Sequence, residues 1–212
     1  MCIDWNVLCS IITAIAAVVA LVLSVKQSWI SNKQQLFERR LKAYMWANGV
    51  ISLCKDNYGW ISAKREERPQ LENDLAFMRL TNNSYMEEQA RAIEHPLEQP
   101  FHKEFLRKRE ELRKLAMEFE LIFKGDVALK YSEFLRAYEN ALDKMYQYQI
   151  IINKMKEANE EKPVTKEEAG KMFSEEKYRD DLYNVLDNLR KAYDAAAQDK
   201  IEKQLKKQLS LI

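Results

Sequence analysis

The stretch WNVLCSIITAIAAVVALVLSV, residues 5–25, contains no charged side chain and lies between Asp4 and Lys26. Twenty-one residues of helix rise ~31 Å, about the thickness of a bilayer's hydrocarbon core. Trp5 and Trp29 flank the run, where amphipathic rings favour the headgroup level. The run therefore reads as one transmembrane helix behind a short leader, residues 1–4. A cleaved signal peptide fits less well. The leader has Asp4 and no Lys or Arg, and the apolar run is longer than a typical signal core.

The remainder is strongly polar. Charged residues are 32% of 212, and mean hydropathy is −0.51 even with the apolar run included. No second stretch approaches the length of a span. Gly 4 and Pro 4 leave few demanded turns, which favours long helices. The expected fold is all-α: an N-terminal transmembrane helix (5–25), a juxtamembrane stalk (26–59), and an antiparallel bundle of four or five helices (60–212).

Basic residues orient the span. Lys26, Lys33, Arg39, Arg40 and Lys42 follow it against one acid, Glu38, and the positive side stays cytoplasmic. The expected location is a bacterial plasma membrane, with the N-terminus outside and the helical domain inside. The same basic residues are expected to lie near anionic headgroups. The span also has a face of small or polar residues. Ser10, Thr13, Ala17, Ala20 and Ser24 recur at alternating three- and four-residue spacing, and Gln27 and Ser31 continue it. Small residues let helix backbones approach closely, and Ser or Thr can hydrogen-bond across the contact. The face implies self-association or docking on another membrane protein.

Beyond the span, Phe37, Leu41, Tyr44 and Met45 mark an apolar stripe, followed by Val50, Leu53 and Cys54. That helix is expected to stop near Asn57–Gly59 in a left-handed turn. A charged loop over 62–70 and a short helix over 71–80 come next. Ser84 with Glu87 is a candidate capping box. Helices are then expected over 101–124, with Phe105, Leu112, Ala116, Phe119 and Phe123 on one side, and over 127–158. Gly125 ends the first and Asp126 caps the second. The second has the clearest pattern: Val127, Tyr131, Phe134, Tyr138, Ala141, Met145, Tyr148, Ile152 and Met155 at heptad-like spacing. Thr165 and Glu168 form a capping box ahead of the last helix, whose face is Tyr178, Leu182, Val185, Leu189, Tyr193 and Ala196. Its tail, with Lys200, Lys203, Lys206 and Lys207 opposite Ile201, Leu205 and Leu209, reads as a fraying end or a membrane-surface helix.

Chemistry is sparse. The chain lacks phosphate-loop, dinucleotide-binding, nucleophile-elbow, zincin and C-x-x-C motifs, so neither an enzyme nor a cofactor is expected. A net charge of +1 points away from nucleic acid. Cys2, Cys9 and Cys54 are too scattered for a disulfide framework or a zinc site. The only histidines, His95 and His102, lie in EHPLEQPFH, where helical spacing with Glu98 would offer a metal three ligands, but Pro96 and Pro100 break that spacing, so no metal site is expected and the segment reads as a kinked connection. Arg91 and His95 together resemble the Arg-and-His motif of HEPN-type ribonucleases, which are also helical. Three residues separate this pair, fewer than in that motif.

NKQQLFERRLKAY at 32–44, LTNNSY at 80–85, HPLEQP at 95–100 and YQYQI at 146–150 resemble a set of small bacterial membrane proteins. Those share a short leader, one N-terminal span and a helical cytoplasmic body. The resemblance implies architecture and supplies no site residues. The functional expectation is a non-enzymatic, membrane-anchored helical module that assembles with itself or with a membrane partner. The alternatives are a stress or phage-defence effector, ribonuclease-like or membrane-permeabilising, and a sensor of anionic lipid surfaces.

Overall fold

The computed structural model describes residues 5–63 and 79–209. All regular structure among them is α-helical. Helix α1 runs unbroken from Trp5 to Asp56, since no Pro occurs in it and the first Gly is Gly49. No described side chain from Trp5 to Lys42 is buried. From Ala43 onward α1 enters the core through Ala43, Ala47, Val50, Leu53 and Cys54. The expected stripe therefore divides. Val50, Leu53 and Cys54 are inside, while Leu41 and Met45 stay exposed. The small residues Ala43 and Ala47 supply the contact instead, because they allow close approach of backbones.

The end of α1 also differs from expectation. Gly59 lies inside a short helix α2, Tyr58–Ser62, and its φ is not positive. The Asn57 side chain closes the corner, donating to Leu53 O and Arg79 O at 2.9 Å each. The loop expected over 62–70 and the helix over 71–80 fall largely outside the described residues. Helix α3, Glu87–Glu94, begins after Met86, without a side-chain cap. Glu87 is thus the first helical residue, and the Ser84–Glu87 capping box does not form.

Helices α4, Phe101–Ile122, and α5, Asp126–Glu161, are joined by a tight turn. Gly125, at φ 65 and ψ −146, is the residue preceding α5, and Asp126 begins the helix rather than capping it. Phe119 stacks on Tyr131 near the turn (5.0 Å), and Phe105 on Tyr146 (4.3 Å) about four turns away. The two helices therefore run antiparallel. The heptad positions of α5 are all buried except Ile152, which is half-buried.

Helix α6, Lys166–Met172, starts with the expected capping box. Glu168 N–H donates to Thr165 Oγ1 (3.2 Å) and Thr165 N–H to Glu168 Oε2 (2.9 Å). Helix α7, Glu175–Ala196, buries Leu182, Val185, Leu189 and Ala196 against α5. The chain then breaks at Ala197–Gln198, and a separate helix α8, Asp199–Leu209, follows. It folds back on the body. Ile201 and Leu205 are buried, and α8 packs on α5 and α1. Helix α5 is the axis of the body, contacted by α3, α4, α6, α7 and α8.

Candidate functional site

Helix α1 is long and apolar enough to cross a membrane, by length and composition, and none of its apolar window is buried. On the small-residue face, Ser10 Oγ donates to Asn6 O and Thr13 Oγ1 to Cys9 O, each at 2.8 Å. These hydroxyl protons are engaged within the helix itself, so the face offers close approach rather than free donors. Ala17, Ala20 and Ser24 are exposed along it.

The basic residues after the run divide into two groups. Lys26 is exposed, and Lys33 Nζ lies 3.8 Å over the Trp29 ring. Arg39 and Lys42 are exposed on the rim of a groove of about 530 Å³ between α1 and α4, floored by Ala43, Trp46 and Leu115. Lys114, Glu111 and Glu118 complete its lining.

Arg40, expected beside headgroups with its neighbours, is used inside the protein. Its Nε donates to Ile122 O at 2.7 Å and its Nη1 to Gln208 O at 2.9 Å. Both acceptors are carbonyls at helix C-termini, which carry partial negative charge. The Gln208 side chain completes the junction, accepting from Lys124 N–H (2.8 Å) and donating to Lys124 O (2.9 Å). One guanidinium thus ties α1, the end of α4 and the end of α8 together where α1 leaves the body. The sequence offered no signal for it beyond a basic residue in a basic run, because its partners lie 82 and 168 positions away.

Arg91 and His95 lie one turn apart on the surface, while His102 faces Tyr146. Arg91 is exposed, and its carbonyl accepts His95 N–H at 3.1 Å. The exposed His95 ring stacks on Phe101 at 5.3 Å, with Nδ1 3.5 Å from Glu98 Oε1. His102 turns inward, sharing a 2.8 Å hydrogen bond between Nδ1 and Tyr146 Oη. The same phenol oxygen accepts Leu97 N–H at 2.6 Å, where Leu97 has φ 69. Burial pushes the Tyr146 phenol up, and the Leu97 N–H partly offsets it. The phenol therefore stays protonated and anchors the connection between α3 and α4. Among the described residues no group of three or more His, Cys, Asp or Glu could hold a metal ion.

A charged ladder crosses α4, α5 and α7. Glu139, nearly buried, takes Arg109 (2.7 Å) and Arg113 (2.9 Å). Arg109 also binds Asp143 (2.7 Å), and Lys144 reaches Asp181 (3.1 Å). Glu139 sits beside heptad position Tyr138, and nothing in its local sequence marks it as buried. Burial also pushes the Cys54 thiol far above its ordinary range, so it is an inert core residue. No family model matches this chain, and no curated protein or solved structure matches it either.

Proposed function

We propose that this chain is a membrane-anchored, non-enzymatic helical module, a bundle held at the inner face of a bacterial plasma membrane, which acts by assembling with itself or a membrane partner. The observation that carries the reading is the division of α1. Its apolar first half has no buried residue among those described, while its last third is built into the core. Exposed apolar area costs about 25 cal/mol per Å² in water, and lipid removes that cost. An anchor joined to the body by one unbroken helix holds the body close to the bilayer. The engagement of Leu97 and His102 with Tyr146 favours a structural role for EHPLEQPFH.

The test is fractionation of cells producing the full chain. Retention in membranes through alkaline extraction supports the anchor. Release into the soluble fraction sinks it. In a Cys2→Ser, Cys9→Ser background, labelling of an Asn48→Cys variant by an impermeant thiol reagent only after the cells are opened supports the inward orientation.

One observation favours a second reading, contact with anionic lipid. The Arg40 junction places the lysine-bearing end of α8 at the end of the body from which the exposed half of α1 emerges. Lys203, Lys206 and Lys207 are exposed there, as are Arg39 and Lys42 on α1, and Lys26 is exposed ~21 Å farther along α1 toward the apolar run. Reconstituted into vesicles with and without anionic lipid, the full chain would show lipid-dependent protection of these lysines from acylation. Equal modification in both would exclude the contact.

A further inference from the structure

Three unfavourable features meet in α3 and the chain just beyond it. The helix has eight residues and no side-chain cap, and a helix so short is held by packing rather than by its own propensity. Gln89 is fully buried, yet neither its side-chain oxygen nor its nitrogen has a hydrogen-bond partner among the described residues. A buried amide without a partner keeps the whole cost of leaving water. Leu97 holds φ 69 while its side chain is 59% exposed. A bulky residue disfavours that backbone region, and such strain persists only where the surroundings enforce it. Side-chain packing does not enforce it here. The enforcing contact is Leu97 N–H, donating to Tyr146 Oη at 2.6 Å. The phenol proton is left for His102 Nδ1, 2.8 Å away, and Phe105 stacks on the phenol ring.

We infer that α3 is a strap that lifts from the body as a unit, between Met86 and Leu97, and that Tyr146 is its clasp. The turn ahead of the strap stays on α1, where Asn83 Nδ2 donates to Gly49 O at 3.1 Å and Tyr85 packs on Trp46. The chain behind it is fixed by α4. Closed, the strap buries Ala92 and Ile93 and packs on α4 and α5. Opening gives the Gln89 amide to water, relaxes Leu97 and lays bare the surface of α4 and α5 beneath. Apolar burial and one chain of hydrogen bonds thus favour closure, while the orphaned amide and the strained residue oppose it. An element balanced in this way opens at lower cost than the fold as a whole. Tyr146 lies ~30 Å along α5 from the α4–α5 turn. The strap therefore moves at the opposite end of α4 and α5 from the Arg40 junction, and its opening leaves that junction closed. The inference is independent of the membrane reading.

Native-state hydrogen exchange of the full chain in detergent tests this. The amides of Ala92, Ile93 and His95, the last bonded to Arg91 O, are expected to exchange roughly a hundredfold or more faster than those of Leu142 and Met145 in α5. Tyr146→Phe keeps the ring against Phe105 and removes the clasp, and should speed the strap amides about tenfold. Gln89→Met keeps an unbranched side chain of similar length without the amide, and should slow them about tenfold. Arg40→Ala separates the strap from the whole fold. It weakens a junction that the open strap leaves intact, so it should speed exchange in α5 and leave the strap amides unchanged. Equal rates in α3 and α5, or strap amides that speed with Arg40→Ala as those of α5 do, mean that α3 leaves only when the whole fold does, and overturn the inference. Strap exchange unmoved by Tyr146→Phe overturns the clasp. Strap exchange unmoved or faster in Gln89→Met means that the amide finds a partner in solution, and overturns its part in opening.

Discussion

Arg40 Nε and Ile122 O meet at 2.7 Å, joining α1 to the last carbonyls of α4. The same guanidinium holds Gln208 O and lies 5.7 Å from the Phe123 ring centre. A hydrogen bond from a charged donor contributes roughly 1.5–3 kcal/mol. Arg40→Ala is therefore expected to lower stability by about 2–4 kcal/mol, less than the sum because the site is partly solvated. Arg40→Lys recovers under half of that, since one ammonium cannot serve both carbonyls in the fork geometry. Denaturant unfolding of the detergent-solubilised chain measures the loss. Hydrogen exchange should show α8 opening first. An unchanged midpoint would remove Arg40 from the junction.

Glu139 is the buried member of the charged ladder. Glu139→Ala takes from Arg109 one of its two carboxylates, Asp143 remaining at the same 2.7 Å, and is expected to cost about 1.5–3 kcal/mol. Arg113, more than half exposed, is worth about 0–1 kcal/mol. A double-mutant cycle separates the two: coupling of Glu139 with Arg109 of about 1–3 kcal/mol, and near zero with Arg113.

Gly125→Ala isolates a backbone effect. Nothing lies within 4 Å of an added Cβ, yet φ is +65, and with ψ at −146 the conformation is one that essentially only Gly adopts. The expected cost is about 1–3 kcal/mol with no change in packing. A smaller cost in thermal unfolding would mean that the turn relaxes to another geometry.

The α6 capping box predicts a pH response. The Thr165 backbone N–H, then its hydroxyl, holds the Glu168 carboxyl below its ordinary 4.5. A folded-state pKa below the unfolded one contributes stability that is present above about pH 4.5 and lost as pH falls through the lowered value. Exchange protection of the Thr165 and Glu168 amides should hold at neutral pH and fall in acid. Glu168→Gln keeps an acceptor and should abolish the acid-dependent part. The same loss in both proteins would assign it elsewhere.

Periodicity made the body legible where burial is one-sided and local. The heptad of α5 and the face of α7 could be read because each buries a single stripe against neighbours along its whole length. Thr165 and Glu168 were readable because a capping box closes within four residues. Arg40, Glu139 and the inward turn of His102 were not readable, since each is settled by a partner at least thirty positions away. The break at Ala197–Gln198 carries neither Gly nor Pro. It arises because α8 turns to bury Ile201 and Leu205, a tertiary demand that local propensity does not encode.

The unbroken course of α1 has a mechanical consequence. A hinge would let the body swivel while its apolar segment stayed still. Here the same helical rod is clamped at one end by Ala43, Ala47, Val50 and Arg40 and makes no buried contact with the body over its apolar window. A twist applied to either end is delivered to the other as a rotation about one shared axis.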